Sequence, residues 1–216
     1  RCVAVNEPAV TVRGLVRDGR CVLQVDGAVS AARIKLGDST FEVQADVRDR
    51  TTQEIDVGEQ ALWWPHTHGE PVLHDIAVTV GDHVVHSRVG FRSTALRGTT
   101  VLVNEVPVFC RGGCWVPLDP ITLQNDLEHL RDTLTSYVEA GLNMVRLTGT
   151  MVYESAEFHS LCSELGIMVW QDVMLATIDP PDDPDVESAV VEEVRSMLAI
   201  AGGPSLVVVS GGSETY

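Results

Sequence analysis

Reactive side chains in this sequence collect at the ends of short apolar runs. Arg146 nearly closes "NMVRL" (143–147), Asp172 closes "GIMVWQD" (166–172), and Glu214 follows "SLVVVS" (205–210) after Gly211, Gly212 and Ser213. A carboxyl group in such a place can move a proton as general acid or base. A guanidinium is a permanently charged, forked donor that orients carboxylates or hydroxyls. Arg146 also has a purely structural reading, as the buried partner of a strand-end Asp such as Asp172. Metal binding is the other chemistry to weigh, because Cys110 and Cys114 lie four apart and His66 and His68 sit in "HTHG". A structural zinc site needs a second paired cluster at suitable spacing. Cys2, Cys21 and Cys162 do not supply one, so neither metal nor cofactor is expected. An odd set of five cysteines without regular spacing is no disulfide framework, and buried thiols in a reduced compartment are the default.

Two kinds of element must position these groups. The first ninety-odd residues alternate apolar and polar side chains, the mark of half-buried antiparallel strands. Strands are predicted at Val10–Val16, Cys21–Val25, Ala32–Leu36, Phe41–Val47, Ile76–Val80 and Val84–Val89, with tight turns in "RDGR" (17–20), "LGDST" (36–40) and "VGDH" (80–83). Short strands at this spacing argue for a sandwich. After about Arg97 the pattern changes to apolar runs alternating with helix-length amphipathic segments, which predicts parallel βαβ units. The strands expected are 106–112, 143–147, 166–172 and 205–210. Helices are expected at 123–140, ending at Gly141, at 155–165, capped by Ser155, and on Val190, Val191, Val194, Met197 and Leu198 after the Pro/Asp-rich loop 179–185. Continuously apolar strands of this sort are buried on both faces, in an open doubly wound sheet or a barrel. "CRGGCW" lacks the glycine spacing of a dinucleotide fingerprint, and residues 98–216 supply about half of the ~250 residues of a complete barrel.

Composition narrows the partners. A length of 216 residues at 44% hydrophobic content is enough for one large or two small cores. The net charge of −16 repels phosphate backbones and anionic membranes, so nucleic acid and membrane are not expected partners, whereas a neutral ligand is compatible. No apolar run of membrane-spanning length and no leader segment is visible, and a cytoplasmic location is expected. Opening on Arg1 and stopping at Tyr216, the chain reads as part of a longer protein, with the remainder of that protein or an oligomer as the expected cover for open barrel edges.

Five ordered motifs carry a resemblance. "LWWPHTHGEPVLHDIAVTV" (62–80) with "VGFRS" (89–93) looks like the end of an immunoglobulin-like sandwich in glycoside hydrolase family 2. "VLVNEVPVFCRGGCWVPLD" (101–119) is similar to N-G-x-P-x-x-x-x-G-x-x-W-x-P-x-D of that family's β-mannosidase branch. "GLNMVRLTGTMVYES" (141–155) resembles G-x-N-x-x-R-x-W-G-G-G-x-Y-E, and "LCSELGIMVWQDVMLA" (161–176) resembles L-C-D-E-L-G-I-x-V-W-Q-D-F-x-F-A. "GGPSLVVVSGGSE" (202–214) aligns with H-P-S-L-x-x-W-x-G-N-N-E. The resemblance implies a multidomain β and α/β fold, with an immunoglobulin-like β-sandwich over 1–97 followed by a partial (β/α)₈ TIM barrel over 98–216.

It also implies a carbohydrate substrate and a retaining hydrolysis of β-mannosides or related β-hexosides, in which two carboxyl groups flank the glycosidic bond. Glu214 matches the acid/base, and the nucleophile is implied on a seventh strand that these residues do not reach, so catalysis by them alone is not expected. Arg146, Asp172 and Ser213 are expected beside Glu214, and Trp115 and Asp119 can stack on and hydrogen-bond a pyranose. Trp170 reads as barrel packing, Trp63 and Trp64 as interdomain contact, and Glu154, Glu164, Glu192 and Glu193 as solvated helix faces. Four positions depart from the family: Ser213 for Asn, Thr148 for Trp, Gly203 for His and Val209 for Trp. A catalytically inactive relative acting as a carbohydrate-binding or protein-interaction module is therefore the alternative.

Overall fold

The structure, a computed structural model, describes residues 10–27, 31–43, 51–124, 126–177 and 179–215. The chain divides into two compact units, Arg1–Ala61 with Leu73–Arg92, and Leu62–Val72 with Ser93–Tyr216.

The described strands of the first unit are β1 (Thr11–Arg17), β2 (Arg20–Gly27), β3 (Ala32–Leu36), β4 (Ser39–Val43), β5 (Thr51–Gly58), β6 (His74–Val80) and β7 (His83–Val89). They form two antiparallel sheets, ordered β1-β2-β5 and β4-β3-β6-β7. Two-residue turns at Asp18-Gly19, Gly37-Asp38 and Gly81-Asp82 join three of the strand pairs, where the sequence places its Asp/Gly pairs. Alternation shows in β3: Ala32, Ile34 and Leu36 are buried while Arg33 and Lys35 face outward. The strand expected at Phe41–Val47 ends at Val43 within the described residues, and positions 44–47 lie outside them. β5 was not foreseen, because "TTQEIDVG" carries too few apolar residues to announce a strand.

In the second unit β8 (Thr94–Arg97), β9 (Thr100–Val103) and β10 (Val106–Val108) form an antiparallel sheet ordered β10-β9-β8. β11 (Gly112–Trp115), β12 (Met144–Leu147), β13 (Met168–Asp172) and β14 (Leu206–Ser210) form a parallel sheet in that order, with helices α1 (Leu127–Glu139), α2 (Ala156–Leu165) and α3 (Pro184–Ala201) in the connections. One expectation is corrected here. The run 106–112 is not a parallel strand; its first three residues turn back antiparallel on β9, and the parallel sheet starts at Gly112. The cause is the turn at Asn104-Glu105, both at positive φ (50° and 67°), the geometry of a primed hairpin turn. Asn104 is anchored there, its Oδ1 accepting from Ser93 N (2.9 Å) and its Nδ2 donating to Trp63 O (3.0 Å).

Each helix begins at a side-chain cap, and two begin elsewhere than expected: α1 at Leu127 and not 123, and α3 at Pro184, inside the stretch 179–185 expected as loop. Asp126 accepts from His129 N (2.9 Å), Ser155 from Phe158 N (3.3 Å), and Asp183 precedes Pro184 at the first turn of α3, each satisfying an amide that the helix leaves free. Leu130 and Leu134 of α1 and Phe158, Leu161 and Cys162 of α2 pack with Val145, Leu147 and Val169 of the sheet and with Trp115. Removing one such leucine side chain costs about 2–5 kcal/mol. The strands are not uniformly buried, as their apolar runs suggested. β12 and β13 are enclosed, whereas β11 and β14 form the sheet's edges, and Val209 is 46% exposed. No helix among the described residues is long and apolar enough to cross a membrane.

The segment 62–72 straps onto this second core. Trp63 is fully buried and donates from Nε1 to Ser163 O (2.8 Å), His66 N donates to Gly166 O (3.0 Å), and His66 Nε2 donates to Leu142 O (2.9 Å). Trp63 thus packs into the core of the second unit, and its bond to Ser163 crosses the boundary expected near residue 97. Gly166 ends α2 at φ 68°, and a Cβ there would stand 2.5 Å from His66 N, so the strap and the helix end require glycine together. The thiols divide too: Cys21 and Cys162 are buried, while Cys110 and Cys114 are exposed, against the expectation that buried thiols prevail. Cys2 lies outside the described residues.

Gly112 faces the tightest constraint, since a Cβ would sit 1.6 Å from Met144 O across the β11–β12 pair, whereas one on Gly113 meets nothing within 4 Å. Gly112→Ala is expected to lower the urea-unfolding free energy by about 3 kcal/mol or more, and Gly113→Ala to change it by less than about 1 kcal/mol. Glu105 is a non-glycine residue held in the left-handed region. Glu105→Gly is therefore expected to raise the urea midpoint, by about 0.5–1 kcal/mol of stability; a lower midpoint would show that the turn is not strained.

Candidate active site

Because β11 to β14 are parallel, their C-terminal ends lie along one edge of the sheet. Register sorts the side chains there. Arg146 pairs with Trp170, and Asp172 pairs with Ser210, so these four project from one face, while Trp115, Leu147 and Gln171 project from the other.

Asp172 is the centre of the polar face. Its side chain is wholly inaccessible, and it is surrounded by donors. Oδ2 accepts from Arg146 Nε (3.1 Å) and Nη2 (2.8 Å) and from Gly149 N (3.3 Å), and Oδ1 accepts from the Ser210 hydroxyl. Trp170 Nε1 donates to Ser210 Oγ (3.3 Å), and its ring lies under Arg146, with Cζ 5.0 Å from the ring centroid, within cation–π range. Arg146 Nη2 reaches on to Ser213 Oγ at 3.4 Å. The guanidinium is therefore fixed on one side by a carboxylate and an indole and directed on the other toward the residue before Glu214.

Backbone bonds continue past the strand ends. Val173 N donates to Ser210 O (2.9 Å), Ser213 N to Leu175 O (2.8 Å) and Thr177 N to Ser213 O (3.1 Å). Glu214 follows at φ 57° with its side chain exposed. Its neighbour Gly212 packs so closely that a Cβ would lie 2.7 Å from Leu175 O.

Of the residues singled out from sequence, Arg146, Asp172 and Ser213 are brought together, with Glu214 adjoining in the chain. Trp115 and Asp119 are not part of this group. Trp115 is 7% exposed, packs on Phe158 at 5.0 Å and donates from Nε1 to Glu154 Oε1 (2.8 Å); it projects from the helix-covered face and offers no stacking surface. The Asp119 carboxylate closes its own turn, accepting from Ile121 N (2.9 Å), Thr122 N (3.1 Å) and the Thr122 hydroxyl, which hold its pKa below the usual carboxylate range. Glu154 is a buried acceptor preceding α2 and not a solvated helix residue. Trp170, read as packing, takes part in the polar network. Ser210 was missed, although a single hydroxyl ending the run "VVVS" opposite Asp172 was the available signal.

No family model matches the chain. It is 36% identical over 168 residues to a β-mannosidase of Capra hircus, covering 70% of this chain and 19% of that protein. It is 29% identical over 213 residues to β-mannosidase B of Aspergillus terreus, covering 89% and 25%. The solved β-D-mannosidase from Dictyoglomus thermophilum superposes with a TM-score of 0.78 at 27% identity, covering 96% of this chain and 29% of that one. The chain belongs to glycoside hydrolase family 2, on its β-mannosidase-like side. It spans about a quarter of the length of the curated relatives it matches.

For this family 2 chain, the stability of the strand-end network and its chemistry can be separated. Asp172→Ala leaves the guanidinium without its carboxylate and is expected to cost about 3 kcal/mol, the low end for a broken buried pair, because the Arg146 side chain keeps 34% exposure. Glu214→Gln, at an exposed position, is expected to stay within about 0.5 kcal/mol. Urea denaturation of the two variants checks both; a loss below about 1 kcal/mol for Asp172→Ala would mean that the network does not hold these strand ends.

Proposed function

We propose that this chain carries the acid/base half of a retaining β-glycosidase site acting on β-mannosides or related β-hexosides. The four parallel strands are read as the first half of a (β/α)₈ barrel over 98–216, and residues 1–97, apart from 62–72 and 93–97, which group with the second unit, as an immunoglobulin-like sandwich domain. The observation that carries the proposal is the fixed Arg146–Asp172–Ser210 group at the C-terminal strand edge, directed through Ser213 at the residue that matches the family's acid/base. Barrel chemistry assembles at that edge.

In this reading Glu214 enters protonated and delivers its proton to the glycosidic oxygen as the bond to the anomeric carbon breaks. A second carboxylate, about 5–5.5 Å from it and contributed from outside these residues, attacks the anomeric carbon. Glu214, now ionised, then takes a proton from the water that releases the sugar. Arg146 is a permanent cation poised beside negatively charged groups, and its double anchoring on Asp172 and Trp170 means that no reorganisation is needed when charge shifts. Ser213 stands where the family has an amide and presents a shorter donor to the sugar 2-hydroxyl. A neutral sugar also suits a chain of net charge −16.

The test uses two leaving groups in the protein at its full encoded length. Cleavage of β-1,4-mannobiose needs a proton on the departing oxygen, so Glu214→Gln is expected to slow it by about 10²-fold or more. Formation of the glycosyl-enzyme from 4-nitrophenyl β-D-mannoside, whose leaving group departs without protonation, should suffer much less. Failure of the wild type to cleave any β-hexoside in a broad panel, or equal loss on both substrates, rejects the assignment.

A further inference from the structure

The loop against which Ser213 rests has a tether that the strand-end group does not supply. After β13 the chain makes a three-residue turn, Leu175 N donating to Val173 O (2.6 Å), with the exposed Met174 at its apex. The Met174 amide donates to the Tyr153 hydroxyl (3.1 Å), and that hydroxyl donates in turn to Glu193 Oε1 on α3 (2.7 Å). We propose that Tyr153, held by Glu193, is a positioning residue for Glu214. The role rests on the glycosidase reading and adds to it a residue outside the Arg146–Asp172–Ser210 group.

The path from the tether to Glu214 is short. Leu175 O, one residue past the tethered amide, accepts from Ser213 N (2.8 Å), and Ser213 O accepts from Thr177 N (3.1 Å). Ala176 and Ser213 form a parallel bridge, and Glu214 is the next residue. A turn closed by one bond between residues 173 and 175 is a small unit, and any rotation at its apex swings Leu175 O away from the Ser213 amide. The loop after β12 prevents that rotation at two points. Gly149 packs so closely that a Cβ there would stand 2.6 Å from Val173 O and 2.7 Å from Leu175 O, and Tyr153, four residues on, takes the apex amide.

A phenol suits the task because one hydroxyl both accepts and donates. Burial pushes the Tyr153 pKa up to about 12, and Glu193 adds to the shift, so the proton directed at Glu193 stays in place across neutral and mildly alkaline pH. A charged acceptor strengthens the bond it receives, and a hydroxyl polarised in this way is a better acceptor for the Met174 amide. Glu193 itself sits on the exposed face of an eighteen-residue helix, a rigid anchor for the chain of bonds. Since Met174 is exposed, water can satisfy its amide once the hydroxyl is gone. What the hydroxyl supplies is direction, passed through Leu175 and Ser213 to the carboxyl group that moves the proton.

The test is made on the protein at its full encoded length with Tyr153→Phe, which keeps the ring and removes the hydroxyl. In hydrogen exchange read by mass spectrometry, amides in 174–177 and 211–215 are expected to exchange about tenfold faster, a loss of local protection, while those of α2 and β13 keep the wild-type rate. The kcat on β-1,4-mannobiose should fall about five- to twentyfold with KM unchanged, a part of the ~10²–10⁴-fold that a positioned acid contributes. Formation of the glycosyl-enzyme from 4-nitrophenyl β-D-mannoside, which needs no proton, should keep its rate. Glu193→Ala should show the same pattern in weaker form, and Glu193→Gln, which keeps an acceptor oxygen, should restore most of what is lost. Unchanged exchange at 211–215, rates that fall alike on both substrates in Tyr153→Phe, or a Glu193→Ala enzyme identical to wild type overturns the positioning role while leaving Glu214 as the acid/base. A wild type that cleaves no β-hexoside removes the glycosidase reading, and this role with it.

Discussion

A carboxylate with no solvent access must be given donors by the fold, and Asp172 imposes that requirement on three strands at once. Stripping an ion of water costs several kcal/mol unless charge and hydrogen bonds replace the lost shell. Here the replacements come from Arg146 on β12, from the Gly149 amide beyond it, and from Ser210 on β14. A slip of one residue in either neighbouring strand would turn these donors to the opposite face of the sheet. Asp172 therefore fixes register as well as charge. The shift in pairing between Val169 and Trp170 is where β13 and β14 adjust so that Asp172 and Ser210 come level.

Everything downstream inherits that alignment. With Ser210 fixed, the backbone bonds from Val173 to Ser210 and between Leu175, Ser213 and Thr177 carry the two loops side by side beyond the sheet. Gly212 lets them approach to within a distance no side chain would allow. Glu214 then emerges in the left-handed region, as does Thr177, whose amide bonds to Ser213 O. Non-glycine residues in that region cost about 1–3 kcal/mol and persist where the surroundings impose them. Asp18, Asn104, Glu105 and Leu123 share that region elsewhere among the described residues, so the two adjoining loops are one of several places where the surroundings impose this geometry.

Much of this was legible beforehand. The helix cap at Ser155, Asp/Gly turns in the first unit, and three of the four parallel strands follow from local chemistry that acts within a few residues. The failures share a physical cause. β10 was merged with β11 because an apolar run does not reveal a reversal made by Asn104-Glu105, a turn without glycine. Trp115 was read as a ligand platform because strand alternation does not say which face the helices cover. The structure settles it through Leu130, Leu134 and Phe158. Ser210 and Trp170 were undervalued because their partners lie at Cα-paired positions in other strands, and pairing across a parallel sheet is set by long connections and not by any local signal. For Trp63 the kind of contact was foreseen but not its partner, because Ser163 is a hundred residues away.

The network is strongest at Asp172 and loosest at Ser213. The Arg146–Ser213 separation of 3.4 Å is at the long limit for a hydrogen bond, while the Arg146–Asp172 bonds are charge-assisted and short. The frame that orients the guanidinium is thus self-sufficient: it needs nothing from the residue before Glu214. On the glycosidase reading, this separates two roles that one amide would otherwise combine. Arg146 keeps its position whatever occupies position 213, so replacing Asn by Ser leaves the electrostatics of the site in place and shortens only the donor offered to the sugar 2-hydroxyl. That hydroxyl is where mannosides and glucosides differ. Discrimination between such epimers rests on buried donors that the wrong sugar leaves unpaired, and a short hydroxyl that can turn toward Arg146 leaves less unpaired than an amide would. On the proposed glycosidase reading, the first consequence expected of Ser213 is therefore tolerance at carbon 2 and not a loss of proton-transfer geometry.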